Sequence, residues 1–318
     1  GCRRYTQGVM ASDVDRIKEK LDLVEFIRSY LPLHPAGKSL KALCPFHQEK
    51  TPSFIVSPAR QLWHCFGCGE GGDLIRFAMR YEHLEFPEAL RFLAERAGIG
   101  LSGVSPAYER EVGILYDLHD AAKEFFRAEL AKHEEARRYL AARGVSAATA
   151  DEFELGFAPG GESLTLHLLK RGFEVGDVAR AGLSHKNVRG LYRDRFEQRI
   201  VFPIVSHVGK TVAFTGRLLP AVASAEAGLQ TEAEAEGRPK YLNSPETPIF
   251  VKSKILYGFH QAKSHIAEAR SVFLVEGQMD LLLAWQSGVR YVVAVSGTGL
   301  TPQHLERLRR SADPILLS

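Results

Sequence analysis

The chain has 318 residues, 45% of them hydrophobic and 25% charged, with a formal net charge of +3. That length suits two or three domains of ordinary size, each with its own core. No run of about 18 apolar residues occurs, which excludes a membrane-spanning helix, and the opening GCRRYTQGV lacks the apolar stretch of a secretory signal.

Residues 1–10 read as a disordered tail ahead of the first periodic segment. Over 12–30 the apolar stripe Ile17, Leu21, Val24, Ile27, with Phe26 alongside, predicts one helix, capped by Ser12 or Asp13. From Leu31 to Val56 short apolar stretches alternate with Pro and Gly, the pattern of strands and turns. Two helices are expected over 73–81 and 86–97, the second closed by Gly98. LSGVSPA, 101–107, reads as a linker, and 108–142 as helix-rich. FPI and VAFTGRLL are predicted strands, and the Ala/Glu-rich stretch over 221–237 a mobile insertion. From 271 onward SVFLVEG, MDLLLAWQSG, YVVAVSG, TPQHLERLRRSA and PILLS alternate as βαβαβ, which implies a parallel sheet covered by helices. Between Lys186 and Lys263 twelve Lys and Arg face seven Asp and Glu, and four of those acids sit in the insertion. The remainder is basic, as suits a polyanion or a solvated face.

Of four cysteines, Cys2 lies in the tail, while Cys44, Cys65 and Cys68 cluster with His47. They form C-x2-H, seventeen intervening residues, then C-x2-C. A two-residue gap turns two side chains back on one ion, and three sulfurs with one nitrogen suit tetrahedral zinc. Gly67 and Gly69 are expected to give the second knuckle its backbone freedom. A closed four-ligand site is structural, and thiols used this way indicate a reducing, cytoplasmic setting. His64 abuts Cys65 and is expected away from the ion. Lys38, Lys41, Lys50 and Arg60 interleave with Phe54, Trp63 and Phe66, a mixture that binds unpaired strands through stacking and charge. Phe54 reads as core, and Trp63 is open to either role.

Glu276 ends the strand SVFLV at a turn into a helix, with Asp280 one helical turn on. Ligand sites of open α/β sheets gather at carboxyl strand ends. A carboxylate there serves as general base or as a magnesium ligand, or simply caps the helix.

CPFHQEKTPSF followed by WHCFGCGEGGD resembles the N-terminal zinc domain of DnaG-type primases. RDRFEQRIVFPI, FTGRLL and PKYLNSPETPIFVKSKILYG resemble the signature stretches of that family's RNA polymerase domain, and VEGQMD the first acidic motif of its TOPRIM fold. The resemblance implies an α+β multidomain chain. A zinc ribbon, a β-sheet with flanking helices, would occupy 11–100, and the linker 101–107. The N-terminal subdomain of the polymerase core would occupy 108–267, and an incomplete βαβαβ TOPRIM subdomain 268–318. It further implies a basic groove of Arg195, Arg199, Arg217, Lys240 and Lys252 with Asn243, holding template or nucleotide phosphates. Arg195 also has Asp194 and Glu197 as neighbouring carboxylates. Glu276 and Asp280 would be catalytic and hold Mg2+ or Mn2+, beside one structural Zn2+ held by Cys44, His47, Cys65 and Cys68. Trp63 and Lys50 would contact DNA.

The implied activity is synthesis of short RNA primers on single-stranded DNA from ribonucleoside triphosphates, with an RNA–DNA hybrid as product. A replicative helicase would be a partner through a C-terminal domain beyond Ser318. The family's later Asp-x-Asp pair would also follow PILLS, so the chain is expected to be a partial product, weak or inactive alone. Gln278 stands where the family carries Tyr. Two rivals are a topoisomerase-like TOPRIM enzyme using Tyr241 or Tyr257, and a non-catalytic single-strand-binding ribbon.

Overall fold

The computed structural model describes residues 12–82, 84, 86–102, 105–219, 238–295, 299–309, 312 and 314–317. The expected tail over 1–10 and the insertion over 221–237 lie outside the described residues. Two compact units divide the chain, 1–109 and 110–318.

The first unit opens with α1 over 12–20 and α2, Leu23–Arg28. The single helix expected over 12–30 is therefore broken. Asp22 is the reason: it is extended, and its side chain caps α2 by accepting from Glu25 N–H. Gln61 fixes the break, accepting from Leu23 N–H and donating to Asp22. The apolar stripe is buried all the same, at Ile17, Leu23, Val24, Phe26 and Ile27. Asp13 does not cap α1. It is 1% exposed and accepts from Ser102 N–H at 2.8 Å and Ser102 Oγ at 2.7 Å. The expected linker is thus tied down at Ser102, and its last two residues already belong to the helix Pro106–Lys132.

Five short strands form one antiparallel sheet in chain order: β1 His34–Ala36, β2 Ser39–Ala42, β3 Phe54–Ser57, β4 Leu62–Cys65 and β5 Gly71–Gly72. Helices α3, Leu74–Tyr81, and α4, Phe86–Ala97, follow. Gly98 ends α4 at φ 65°, and its N–H and that of Ile99 satisfy the carbonyls of Glu95 and Ala94. Phe54 and Trp63 stack at 5.2 Å, and Phe77 meets both edge-on.

The second unit contains most of α5, Pro106–Lys132, then α6 Glu134–Ala142, α7 Ala147–Glu152, α8 Ser163–Lys170 and α9 Val175–Arg180. Four antiparallel strands run in the order β11-β10-β9-β6: β6 is Gly156–Ala158, β9 Arg199–Val205, β10 Thr211–Leu218 and β11 Tyr241–Asn243. A hairpin of β7, Ser184–Lys186, and β8, Tyr192–Asp194, precedes β9. Asp194 is not a partner of Arg195. Its carboxylate accepts from the N–H groups of Leu164 and Thr165 at 2.8 and 2.9 Å, at the start of α8.

Helix α10, Phe259–Ala269, leads into β12 Val272–Val275, α11 Gln278–Gln286, β13 Val292–Ala294, α12 Pro302–Arg309 and β14 Ile315–Leu317. The three strands are parallel, with β12 central in the order β13-β12-β14. The expected βαβαβ alternation is present. One apolar core contains Phe157, Ile200 and Phe202 of the antiparallel sheet together with Val272, Leu274 and Val292 of the parallel one. The expected boundary at 267/268 therefore falls inside a continuous core.

Candidate metal centre and nucleic-acid interface

In the first unit β4 delivers Cys65, the turn after it Cys68, and the turn after β2 Cys44 and His47. One donor atom from each lies within 4.8 Å of the others. Burial pushes the Cys44 thiol up. Burial also opposes ionisation of Cys65, but the N–H groups of Cys68 and Gly67 hold it below its ordinary value. Three thiolates this close repel one another, so a cation is what lets them share the site. Three sulfurs and an imidazole fit zinc. Gly69 is in the left-handed region, at φ 75°. Gly67 is not: a Cβ there would meet His47 Nε2 at 2.5 Å, so this glycine supplies room for the imidazole and not the backbone freedom expected of it.

In the second unit Glu276 is exposed at the carboxyl end of β12, the central strand. Gly277 caps α11, and a Cβ on it would lie 2.9 Å from Asp280 Oδ2, so the Asp280 carboxylate folds back over the turn that follows Glu276. Burial raises the Tyr241 hydroxyl above its ordinary pKa, and the charge of Asp280 adds to that rise. Asn243 and Lys252 border one small, mostly apolar depression with Ile204, Phe250, Ile255, Tyr257 and Val295. Val295 N–H donates to Val275 O, one residue before Glu276. The depression and the carboxylates thus occupy adjoining strand ends. Lys252 is held by its backbone: its N–H donates to Glu246 Oε1 at 3.0 Å, and its carbonyl meets His304 Nε2 at 3.2 Å.

A model of the CHC2 zinc finger matches residues 9–108, and a model of the DNA primase catalytic core, N-terminal domain, matches 125–263. The crystal structure of the zinc-binding and RNA polymerase domains of Aquifex aeolicus primase is 35% identical, with a TM-score of 0.57, over 96% of this chain and 71% of that one. The chain belongs to the DnaG-type primase family. The DNA primase of Geobacillus stearothermophilus is 39% identical over 315 residues, 96% of this chain and 50% of that protein. This chain spans about half the length of the curated relatives it matches. A DnaG primase catalytic domain bound to single-stranded DNA is 34% identical, with a TM-score of 0.56, over 66% of this chain and 64% of that one. The resemblance read from the motifs is thereby confirmed. Among the described residues no helix is long and apolar enough to cross a membrane.

Several expected family roles do not fit the geometry. Trp63 is 2% exposed inside the aromatic core, so it cannot offer a face to a base. Phe66, 74% exposed and edge-on to the exposed ring of His64, can. Arg199 is 2% exposed, and its Nη1 donates to the carbonyls of Gly216 and Lys240. Burial lowers its pKa to about 10, with Arg238 adding repulsion. Arg217 is buried as well, donating from Nε to Tyr139 OH at 2.6 Å and from Nη1 to Tyr241 OH. Each guanidinium has two of its donors committed to protein oxygens, which anchors it in place. Arg195 is partly buried, with Nε and Nη2 donating to Asn243 O, while Lys240 and Lys50 are exposed. Tyr257 is enclosed, while Tyr241 is half-buried with its hydroxyl bonded to Arg217.

The sequence reading passed over Glu49, Ser53, Tyr139 and His304, which buttress these groups. Glu49 and Ser53 stand inside the quoted CPFHQEKTPSF run. The run therefore contained the signal, but as flanking letters and not as ligands.

Proposed function

We propose that the chain is part of a primase that makes RNA primers on single-stranded DNA by nucleotidyl transfer dependent on Mg2+ or Mn2+, and that this portion alone is weak or inactive. The observation that carries this is the pair Glu276 and Asp280 at the carboxyl end of the central parallel strand, next to the strand end that borders the depression of Asn243 and Lys252. Glu276 and Asp280 would hold the divalent ion, which when bound offsets charge on the attacking and leaving oxygens. Glu276 is also placed to accept the proton of a nucleotide 3′-hydroxyl. Lys240, Lys252 and Arg195, with Asn243, hold phosphates of the template or the incoming ribonucleoside triphosphate. Arg199 and Arg217 keep the strands behind them in place.

The zinc ribbon, proposed over 11–100, is held by one structural Zn2+ on Cys44, His47, Cys65 and Cys68, and presents the template through Lys50 and Phe66. The linker 101–107 and the polymerase subdomains 108–267 and 268–318 complete the proposed division. The relative caught with single-stranded DNA supports the choice of template. An RNA–DNA hybrid as product, a replicative helicase reached through a separate C-terminal domain, and a cytoplasmic setting follow from the same reading.

The test supplies the purified chain with a single-stranded template, labelled ribonucleotides and Mg2+ or Mn2+. Incorporation by this chain alone is expected to be weak or absent, so E276Q is read through metal binding. Binding of Mn2+ followed by electron paramagnetic resonance should weaken in E276Q and in D280N. In K240A and K252A, affinity for single strands should fall, with the salt slope dropping by about 0.7 per cation lost. Wild-type Mn2+ affinity in E276Q, together with wild-type strand affinity in K240A/K252A, would sink the reading.

A further inference from the structure

Glu49 touches the first knuckle of the candidate zinc site and reaches the second through Ser53. Its Oε1 accepts from Cys44 N–H at 2.7 Å and from Ser53 N–H at 3.0 Å. Its Oε2 accepts from the Ser53 hydroxyl and lies 3.3 Å from His47 Nε2. Ser53 Oγ in turn accepts from Gly67 N–H at 3.2 Å and lies 3.1 Å from Cys65 Sγ. One carboxylate thereby touches the first knuckle directly and the second through a single hydroxyl. Its side chain is only 10% exposed.

The two nitrogens of His47 face different ways. Nδ1 lies 3.7 Å from Cys65 Sγ, toward the donor cluster, and Nε2 lies toward Glu49. A neutral imidazole carries one proton, and only the bare nitrogen can bind a metal. A carboxylate at Nε2 draws the proton there and leaves the Nδ1 lone pair toward the thiols. Resting on the zinc reading given above, we infer that Glu49 is a positioning residue for the metal. It fixes the His47 tautomer and ring orientation and closes the first knuckle through Cys44 N–H. Outer carboxylates of this kind change metal affinity 10–100-fold in other proteins.

The test needs no variant to begin. In the zinc-loaded chain labelled with 15N-histidine, a long-range 1H–15N spectrum should show His47 protonated on Nε2 and metal-bound through Nδ1. A metal-bound Nε2 overturns the inference. In E49Q, which keeps one oxygen for the backbone N–H groups, Zn2+ affinity measured by competition with a chromophoric chelator should fall about 10–100-fold. The Co2+ absorption bands should shift with it. In the H47C background the site has four sulfurs and no tautomer to set, so E49Q should there cost threefold or less. Equal losses with and without the imidazole would mean that Glu49 only braces the turn, and would overturn the inference while leaving the zinc reading intact. A wild-type chain that takes up no Zn2+ would instead overturn the zinc reading itself.

Discussion

The indole Nε1 of Trp63 donates to the carbonyl of Asp73 at 3.0 Å. Asp73 also caps α3 through Arg76 N–H and pairs with Lys18 at 2.7 Å. The ring therefore joins β4 to the start of a helix while filling the centre of the ribbon. W63A should cost about 3–5 kcal/mol of stability in the first unit, read by denaturant unfolding. F66A should leave stability within about 0.5 kcal/mol of wild type, yet weaken single-strand binding by about 1–3 kcal/mol. The reverse pattern would return Trp63 to the DNA face.

His119 is fully buried, stacked on Phe214, with Nδ1 2.7 Å from Leu115 O. Burial lowers its pKa to about 4, against the opposing pull of that carbonyl. The folded chain thus resists protonation that the unfolded chain accepts. Stability is complete above the unfolded value of about 6.5 and is lost as pH falls from there toward 4, by about 3 kcal/mol. Replacing the ring with H119L should flatten this limb of the stability–pH curve.

Asp194 has its carboxylate committed to two backbone N–H groups and to the hydroxyl of Thr165 at 2.6 Å. D194A strands those buried donors and should cost about 2–4 kcal/mol. D194N, which keeps an acceptor, should cost less. Hydrogen exchange at the amides of Leu164 and Thr165 reports the loss locally.

Much of this architecture was legible because its signals are local. C-x2-H and C-x2-C place ligands by spacing alone, Gly98 ends a helix by conformation, and the βαβαβ tract alternates strand-sized and helix-sized apolar runs. What stayed hidden depends on neighbours distant in sequence. The break at Asp22 requires Gln61, Asp13 is claimed by Ser102 across 89 positions, and Trp63 is core because of Phe54 and Phe77. Charge misled in the same way. Arg199 and Arg217 look like free phosphate ligands in a basic stretch, but carbonyls and phenols from other strands and a helix anchor each of them through two bonds.

Tyr139 supplies Arg217 with one of its two phenol partners, from α6. Y139F leaves a buried guanidinium short of an acceptor and should cost about 1–3 kcal/mol, measured by thermal or denaturant unfolding. The double variant Y139F/Y241F should deviate from the sum of the single losses, since both act through one side chain.

That shared guanidinium means positions 139, 217 and 241 cannot drift one at a time. A lineage that trades the arginine for an apolar residue must also retire two hydroxyls, and one that loses a hydroxyl leaves a cation stranded. Variation at this trio should therefore come as coordinated triples, although 78 residues separate Tyr139 from Arg217 along the backbone.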